Sequence, residues 1–582
     1  MTFTTETISR RNFLTAAGAT GALTALGLAG CAPKAAPEAS DAASTSASEG
    51  EATAASTSAD WLGSAPSIAE GDIVETRDTE LLIIGAGNAG MAAAATAADL
   101  GLDFTLCEKS GSMQSTRHWF GAVNTRYTEE AGAKVDTARL LNELMRYSSC
   151  QGDPRVARVW IEESAEMVEW IDPILAAAGM ACEFDNDVDH PTGGTEYLVP
   201  TIQHYYSGTD AAGEKLERNK VLLAYINERG YDVAYNHSLA KLVQDEAGRV
   251  TGAIFETPDG YVQINSERGV LLATGGYSSN SAMLHACNPM VERCVTSQAG
   301  SPNNVGDGIR AALWAGAAKD AVGAPLIFDR GAVLPGQNAG IVTEEGTPAG
   351  FAGEPVVQFN LGSQPFMKVG RDGKRFYNES TPYNDCCFAA ASNEGGVFCQ
   401  VFDANLKENV KRFSTIGCSR LTQIKLATQP DTPIDEIYAE EMERGVLIKA
   451  DTLSELADKL GFEGQAKENF LHEVEKNNQF FDNQADLDFG KEPYRLSEIR
   501  TAPFYGCWYG GCILCTLDGV RINADMQVLD NDNHVIDGLY ATGDCSGSMF
   551  ANNYPEYFAG LACGRSLTFS RHAVRHMAGD IA

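Results

Sequence analysis

The sequence predicts an α/β protein with a nucleotide-binding domain and a further region of different composition. Three observations predict it. Between Thr79 and Ser110 the chain reads as strand, glycine turn, helix, strand and acidic terminus. From about Phe328 to Tyr505 the composition shifts to Gly/Pro-rich loops, mixed segments and then charged helices around Thr452 to Leu471. Beyond that shift, Gly538-Leu539-Tyr540-Ala541-Thr542-Gly543-Asp544 again reads as a short strand, closing on Gly-Asp. The roughly 520 residues after the N-terminal tract also exceed what one core holds, so two lobes are expected.

Ser9-Arg10-Arg11-Asn12-Phe13-Leu14 is a twin-arginine pattern, followed by a weakly apolar Ala/Gly/Leu run. The run is too short and too Gly-rich to stay in a membrane, so residues 1–31 read as a removable export signal. Leu28-Ala29-Gly30-Cys31 has the form of a lipoprotein processing box, which makes Cys31 the expected lipid anchor at the outer face of the cell membrane. Cleavage to a soluble secreted form is the alternative. The twin-arginine route carries folded proteins, so a cofactor can be inserted before export. Residues 32–70, almost wholly Ala, Ser, Thr, Glu and Pro as far as Asp60, read as a disordered tether. As a coil it spans roughly 30 Å. The formal charge of −34 disfavours nucleic acid and anionic lipid as partners, and also the unaided attraction of dianionic substrates.

Leu81 to Ile84 is a short apolar run, and Gly85, Gly87 and Gly90 follow at G-x-G-x-x-G spacing. Gly85 permits the turn, Gly87 lets the backbone approach a pyrophosphate, and Gly90 lets helix and strand pack closely. Asn88 and Ala89 open the helix, whose N-terminus meets the phosphate charge. The second strand, Phe104 to Cys107, ends on Glu108, where a carboxylate accepts hydrogen bonds from a ribose hydroxyl. Lys109, Ser110 and a Gly/Ser-containing run through Ser115 then lead into Phe120-Gly121-Ala122. A nicotinamide domain would instead repeat strand and helix at once, so FAD is expected. Mostly helical pattern follows from Asp136 to about Gly230, with Asp136 and Asp153 as caps, then a β-rich section to Val270 turning at Asp245 to Gly248 and Pro258 to Gly260.

Val270 to Gly276 reads VLLATGG and Gly538 to Asp544 reads GLYATGD. With the glycine turn, these segments resemble those of the fumarate reductase and succinate dehydrogenase flavoprotein family, in the same order. Val305-Gly306-Asp307-Gly308 resembles that family's TGDG segment. The resemblance implies FAD contacts at Ala273, Thr274, Gly275, Gly276, Asp307, Gly543 and Asp544, at Gly121, and at the turn into the last helix, Gly560, Leu561 and Ala562. It also implies a discontinuous, Rossmann-like FAD-binding domain over 75–327 and 506–582, with an inserted α+β capping domain over 328–505 that closes on the substrate. Succinate dehydrogenases link their flavin to a histidine. The comparable position here is Ser115, with His118 out of register, so the FAD is expected to be noncovalent.

The active-site residues depart from fumarate reductase. Gly373-Lys374-Arg375-Phe376-Tyr377-Asn378-Glu379 matches a segment of that enzyme, but Tyr383 stands where it carries an arginine acid. Asn378-Glu379-Ser380-Thr381-Pro382-Tyr383 resembles the 3-ketosteroid dehydrogenases instead, in which the equivalent tyrosine does the proton chemistry. Leu514 stands where fumarate reductases place a carboxylate-binding histidine, two residues before the segment that Thr516-Leu517-Asp518-Gly519 resembles. Tyr557 stands at or near their carboxylate arginine. A guanidinium binds a carboxylate bidentately and a phenol does not, so a dicarboxylate is not the expected substrate. The replacements are aromatic: Tyr383, Tyr554, Tyr557 and Phe558, with Trp508 and Tyr509 as pocket wall or core. Arg565, in the last helix, lies near the flavin or at the surface, and the candidate catalytic residues are Tyr383, Tyr554, Tyr557 and Arg565.

Cys507, Cys512, Cys515 and Cys545 are spaced like the ligands of a plant-type [2Fe–2S] cluster. They lie where family members put substrate and flavin contacts, so buried thiols are expected, an Fe–S cluster is not, and no metal site is assigned. The reading as a whole is an exported, lipid-anchored FAD oxidoreductase that reduces a C=C bond conjugated to a carbonyl, in a steroid-like or aromatic enone, enoate or unsaturated lactone. Hydride comes from flavin N5, the proton from Tyr383, and the electrons from a membrane quinol through a cytochrome or other carrier. Tyr554 or Tyr557 holds the carbonyl oxygen. Such chains resemble exported reductases of anaerobic gut actinobacteria, steroid and cardiac-glycoside types included. The alternatives are ketosteroid desaturation, the reverse reaction, and a non-catalytic flavin electron-transfer lipoprotein.

Overall fold

Leu81–Ile84 is buried at all four residues because it lies inside a parallel sheet with neighbours on both sides, which is why it reads as an unbroken apolar run. The fold is that of a computed structural model describing residues 61–185, 197–342, 350–351, 358–413, 415, 419, 421–422, 425–426 and 429–581. The export signal, Cys31 and the tether to Asp60 lie outside the described residues.

The sheet runs Gln527–Leu529, Val535–Ala541, Val270–Leu272, Leu81–Ile84, Phe104–Cys107, Val233–Ala234 in spatial order. Every neighbouring pair is parallel except the hairpin of Gln527–Leu529 and Val535–Ala541. Val270 pairs with Leu82 on one side and Leu539 on the other, so the strands before and after the insertion stand one strand apart. The three expected turns, after Ile84, Leu272 and Ala541, therefore open at one edge of the sheet. Ala92 to Ala95 of the helix Asn88–Asp99 are fully buried, small side chains that bring helix and sheet close. Gly90 is required for that approach, since a Cβ there would lie 1.7 Å from the carbonyl oxygen of Gly85.

The β-rich section forms a meander, Ser238–Gln244, Val250–Thr257 and Gly260–Ser266, to which Ile73–Thr79 adds in parallel. Asp136 accepts the N–H groups of Ala138 and Arg139, and Asp153 that of Arg155, so both expected caps form. The stretch from Asp136 to Gly230 is less helical than its pattern predicts. Ala181–Phe184 and Gln203–Ser207 pair with each other, and Phe120–Gly121 joins them in a small antiparallel sheet. Buried polar residues hide the strand: Gln203 and His204 face inward, and His204 Nε2 is 2.8 Å from Thr125 Oγ1.

A fourth sheet is built around one long strand. Its order is Val295–Gln298, Phe504–Thr516, Phe398–Phe402, Met367–Val369, with Pro325–Val333 and Ile448–Ala450 also paired to Phe504–Thr516. The limits expected at 328 and 505 fall inside strands of this one sheet. Among the described residues no helix is long and apolar enough to cross a membrane.

Candidate active site

A cavity of about 320 Å3 opens where the glycine turn meets the other strand ends. Gly85, Gly87, Asn88, Ala89, Glu108, Lys109, Ser115, Ala273, Thr274, Gly275, Asp307, Gly543 and Asp544 line it. Glu108 is held in place by the N–H of Ala86 at 2.8 Å and the hydroxyl of Ser110 at 2.6 Å. Lys109 Nζ lies 2.7 Å from Asp307 Oδ2. No side chain caps the N-terminus of Asn88–Asp99, so its first N–H groups face the cavity as a phosphate site. Thr274 Oγ1 and Asp544 Oδ1 are buried on the cavity wall without a hydrogen-bond partner. Uncapped donors and orphaned acceptors are what a polar dinucleotide would satisfy, so the residues fit FAD.

The other expected cofactor residues act behind this wall. Gly90 and Ser110 set the turn and Glu108. A Cβ at Gly276 would lie 2.4 Å from Thr516 Oγ1, and one at Gly121 would lie 3.0 Å from the nitrogen of Leu561. Gly121 donates its N–H to the carbonyl of Gly560 at 2.8 Å, which seats the N-terminus of the helix Leu561–Ala578. Gly560 and Ala562 line the neighbouring cavity instead.

That second cavity, of about 300 Å3, shares Thr116, Arg117, Leu514 and Cys563 with the first. Tyr383 opens the helix Tyr383–Ala390 after Pro382, is 5% exposed and lines this cavity, edge-on to Phe328 at 4.9 Å. The Arg330 guanidinium lies 4.3 Å from the Phe328 ring centroid and 5.9 Å from that of Tyr383. Tyr554 also lines the cavity, and its hydroxyl accepts the N–H of Ala562 at 3.2 Å. Glu556 accepts the backbone N–H of Tyr383 at one oxygen and the Ser419 hydroxyl at the other, 3.1 Å away. Burial, and then the charge of Asp329, push its acid up to about 8, so it is neutral at pH 7.

Two candidate catalytic residues are placed elsewhere. The hydroxyl of Tyr557 donates to the carbonyl of Ser380 at 2.9 Å and lines a small cavity of about 20 Å3, on the far side of Tyr383 and Glu556, which line both it and the second cavity. Of Tyr554, Glu556 and Tyr557, only the first two reach the second cavity. Arg565 is fully buried and lines neither large cavity. It donates to the carbonyls of Gly543 at 2.7 Å and Ser546 at 3.3 Å, bracing the Gly-Asp turn. Trp508, bonded to the carbonyl of Leu460, and Tyr509, stacked between Phe359 and Phe398, are core, as is Phe558.

Leu514 lines both cavities at the position where a histidine was missing, and His118 is an exposed residue at the second cavity, ring to ring with Tyr205 at 4.9 Å. Cys507, Cys512, Cys515 and Cys545 are buried thiols, and among the described residues they do not converge as metal ligands. The wall is less purely aromatic than expected, since Arg117, Arg330 and Glu556 all line it. No motif announces them. The available signal was the Asp329-Arg330 charge pair inside Pro325–Val333, a strand buried at all nine residues.

Glu556 makes stability depend on pH with a definite sign. An acid held above its unfolded value of about 4.3 contributes stability that is complete below that pH and lost as the pH rises through its folded value. For Glu556 that window closes near its folded value of about 8. Glu556→Gln is therefore expected to melt higher than the wild type at pH 8 and to show a shallower decline from about pH 5 upward. Melting curves of the FAD-bound proteins check this, and parallel declines would contradict it.

The family model described as FAD binding domain matches residues 80–557, and a twin-arginine translocation signal matches residues 7–27. The chain is 26% identical over 510 residues to a vinyl phenol reductase of Lactiplantibacillus plantarum, covering 86% of this chain and 96% of that protein. It is 24% identical over 504 residues to a urocanate reductase of Eggerthella lenta, covering 85% and 74%. Its fold is similar to a crystal structure of 3-ketosteroid delta1-dehydrogenase from Sterolibacterium denitrificans, with a TM-score of 0.64 and 20% identity over 87% of this chain and all of that one. The match spans the glycine turn and most of the residues that line the two cavities, and the cofactor is FAD. The chain carries a twin-arginine export signal and belongs to the FAD-binding-domain family of flavoprotein oxidoreductases, together with fumarate reductase-like enzymes and 3-ketosteroid dehydrogenases.

Proposed function

We propose that this flavoprotein reduces a C=C bond conjugated to a carbonyl, in an enone, enoate or unsaturated lactone with a flat apolar skeleton. The observation that carries it is Tyr383, beside the Arg330 guanidinium, in a cavity joined to the cofactor cavity through Thr116, Arg117, Leu514 and Cys563. Bound FAD supplies hydride from N5. Tyr383 supplies the proton to the other carbon, and the nearby Arg330 charge lowers the cost of the phenolate left behind. Tyr554 and neutral Glu556 hold the carbonyl oxygen as negative charge builds on it. Phe328 and Trp119 pack on the skeleton and exclude water.

Relatives named as reductases of vinyl phenol and urocanate support reduction as the direction. Export beyond the NAD pool supports a membrane quinol as electron source, through a cytochrome or other carrier, with Cys31 as the lipid anchor. The same tyrosine and arginine serve proton abstraction equally well, so ketosteroid desaturation is the second reading. The electron partner decides between them. A mere electron carrier would have no use for a substrate-sized cavity lined by Tyr383. The test is whether an enone or enoate reoxidises the reduced protein without oxygen.

A further inference from the structure

Around the junction of the two cavities the positive charge is not balanced. Arg117 Nη2 lies 3.6 Å from Asp544 Oδ2, and Arg565 Nη2 lies 3.7 Å from Asp544 Oδ1, so two guanidiniums share one carboxylate. A third, Arg218, opens the helix Arg218–Asn227 and is 1% exposed. Its Nη2 donates to Asn88 Oδ1 at 2.7 Å, to the carbonyl of Arg117 at 3.1 Å and to Cys563 Sγ at 3.4 Å. Its Nε and Nη1 make no hydrogen bond, and among the described residues it has no carboxylate partner. An unpaired cation this deeply buried is costly unless an anion completes it.

The position of Arg218 indicates which anion. Asn88, Arg117 and Cys563 all line the cofactor cavity, and Arg117 and Cys563 also line the substrate cavity. Hydride transfer requires the reacting ring at that junction, in reach of both. Arg218 stands directly behind it. The adjoining Asn219 donates its side-chain amide to the carbonyl of Gln114 at 3.2 Å and its backbone N–H to Thr116 Oγ1 at 2.9 Å, fixing the same loop.

We propose that Arg218 is a positioning residue that sets the redox potential of the bound FAD, its unpaired charge favouring the reduced cofactor. Two electrons and one proton entering the oxidised ring add one negative charge, and that added charge is what the guanidinium stabilises. The electrons are those delivered by the donor, and Arg218 neither gives nor takes a proton. The inference rests on the bound FAD and on the proposed reading of the second cavity as the substrate site, and on no choice of substrate.

Spectroelectrochemical titration of the FAD-bound protein without substrate tests it. Arg218→Gln is expected to move the reduction equilibrium at least tenfold toward the oxidised cofactor, about 30 mV for a two-electron couple. Arg218→Lys keeps the charge and is expected to recover most of that shift. Where Arg218→Gln purifies without cofactor, its affinities for oxidised and for dithionite-reduced FAD replace the titration, and the reduced-to-oxidised ratio must fall at least tenfold. A residue that only braced the loop, or that faced the pyrophosphate, would weaken both affinities equally. An unchanged potential or ratio in Arg218→Gln overturns the proposal, as does a lysine variant shifted as far as the glutamine one.

Discussion

Tyr383→Phe is expected to leave FAD bound and to lower turnover at least a hundredfold. A positioned general acid contributes about a hundred- to ten-thousandfold, and the substitution removes the phenolic hydroxyl while keeping the ring. The ring keeps its edge-on contact with Phe328, and the backbone N–H keeps its bond to Glu556, so the helix start and the cavity wall stay in place. The cofactor cavity is lined by other residues, and flavin content should match the wild type. Single-turnover reoxidation separates this loss from slow product release. A rate near that of the wild type would remove Tyr383 as proton donor and with it the proposed mechanism.

Gly90→Val is expected to weaken FAD binding by roughly five- to 150-fold. The added Cβ would lie 1.7 Å from the Gly85 carbonyl oxygen, a backbone atom at the tightest point of the turn, so helix and strand must part. Overpacking of this kind costs roughly 1–3 kcal/mol even in cores that yield. Gly85 itself, at φ +105°, cannot shift far, since a Cβ there would already meet the Ala273 carbonyl at 2.4 Å. At about 1.4 kcal/mol per factor of ten, that cost corresponds to a loss in cofactor affinity of roughly five- to 150-fold. Flavin-to-protein ratio after gel filtration measures it, and full flavin content in the variant would show that the turn is looser than its geometry.

Where local chemistry decides structure, the sequence was legible. The glycine turn, Glu108, the two later strand ends and the caps at Asp136 and Asp153 each follow from a few neighbouring residues with one physical role. Tyr383 was legible for the same reason, as part of a motif whose spacing sets a helix start. The cavity walls were not, because they are assembled from distant strands. Arg330 reaches the site from Pro325–Val333 and Glu556 from the turn before the last helix, and only the fold brings them to Tyr383. Matching Tyr557 to a family position and Arg565 to the last helix did not show what their side chains touch, the carbonyls of Ser380 and of Gly543. The strand Gln203–Ser207 was hidden by buried polar residues whose partners are non-local.

The measurement that bears most directly on the central claim is anaerobic stopped-flow reoxidation of the dithionite-reduced protein against a panel of fumarate, urocanate, cinnamates, steroid enones and an unsaturated lactone. The account predicts rapid recovery of oxidised-flavin absorbance with at least one conjugated enone or enoate, with fumarate inert because Leu514 lines the cavity in place of its carboxylate histidine. Recovery with fumarate, or no recovery with any member of the panel, would contradict it.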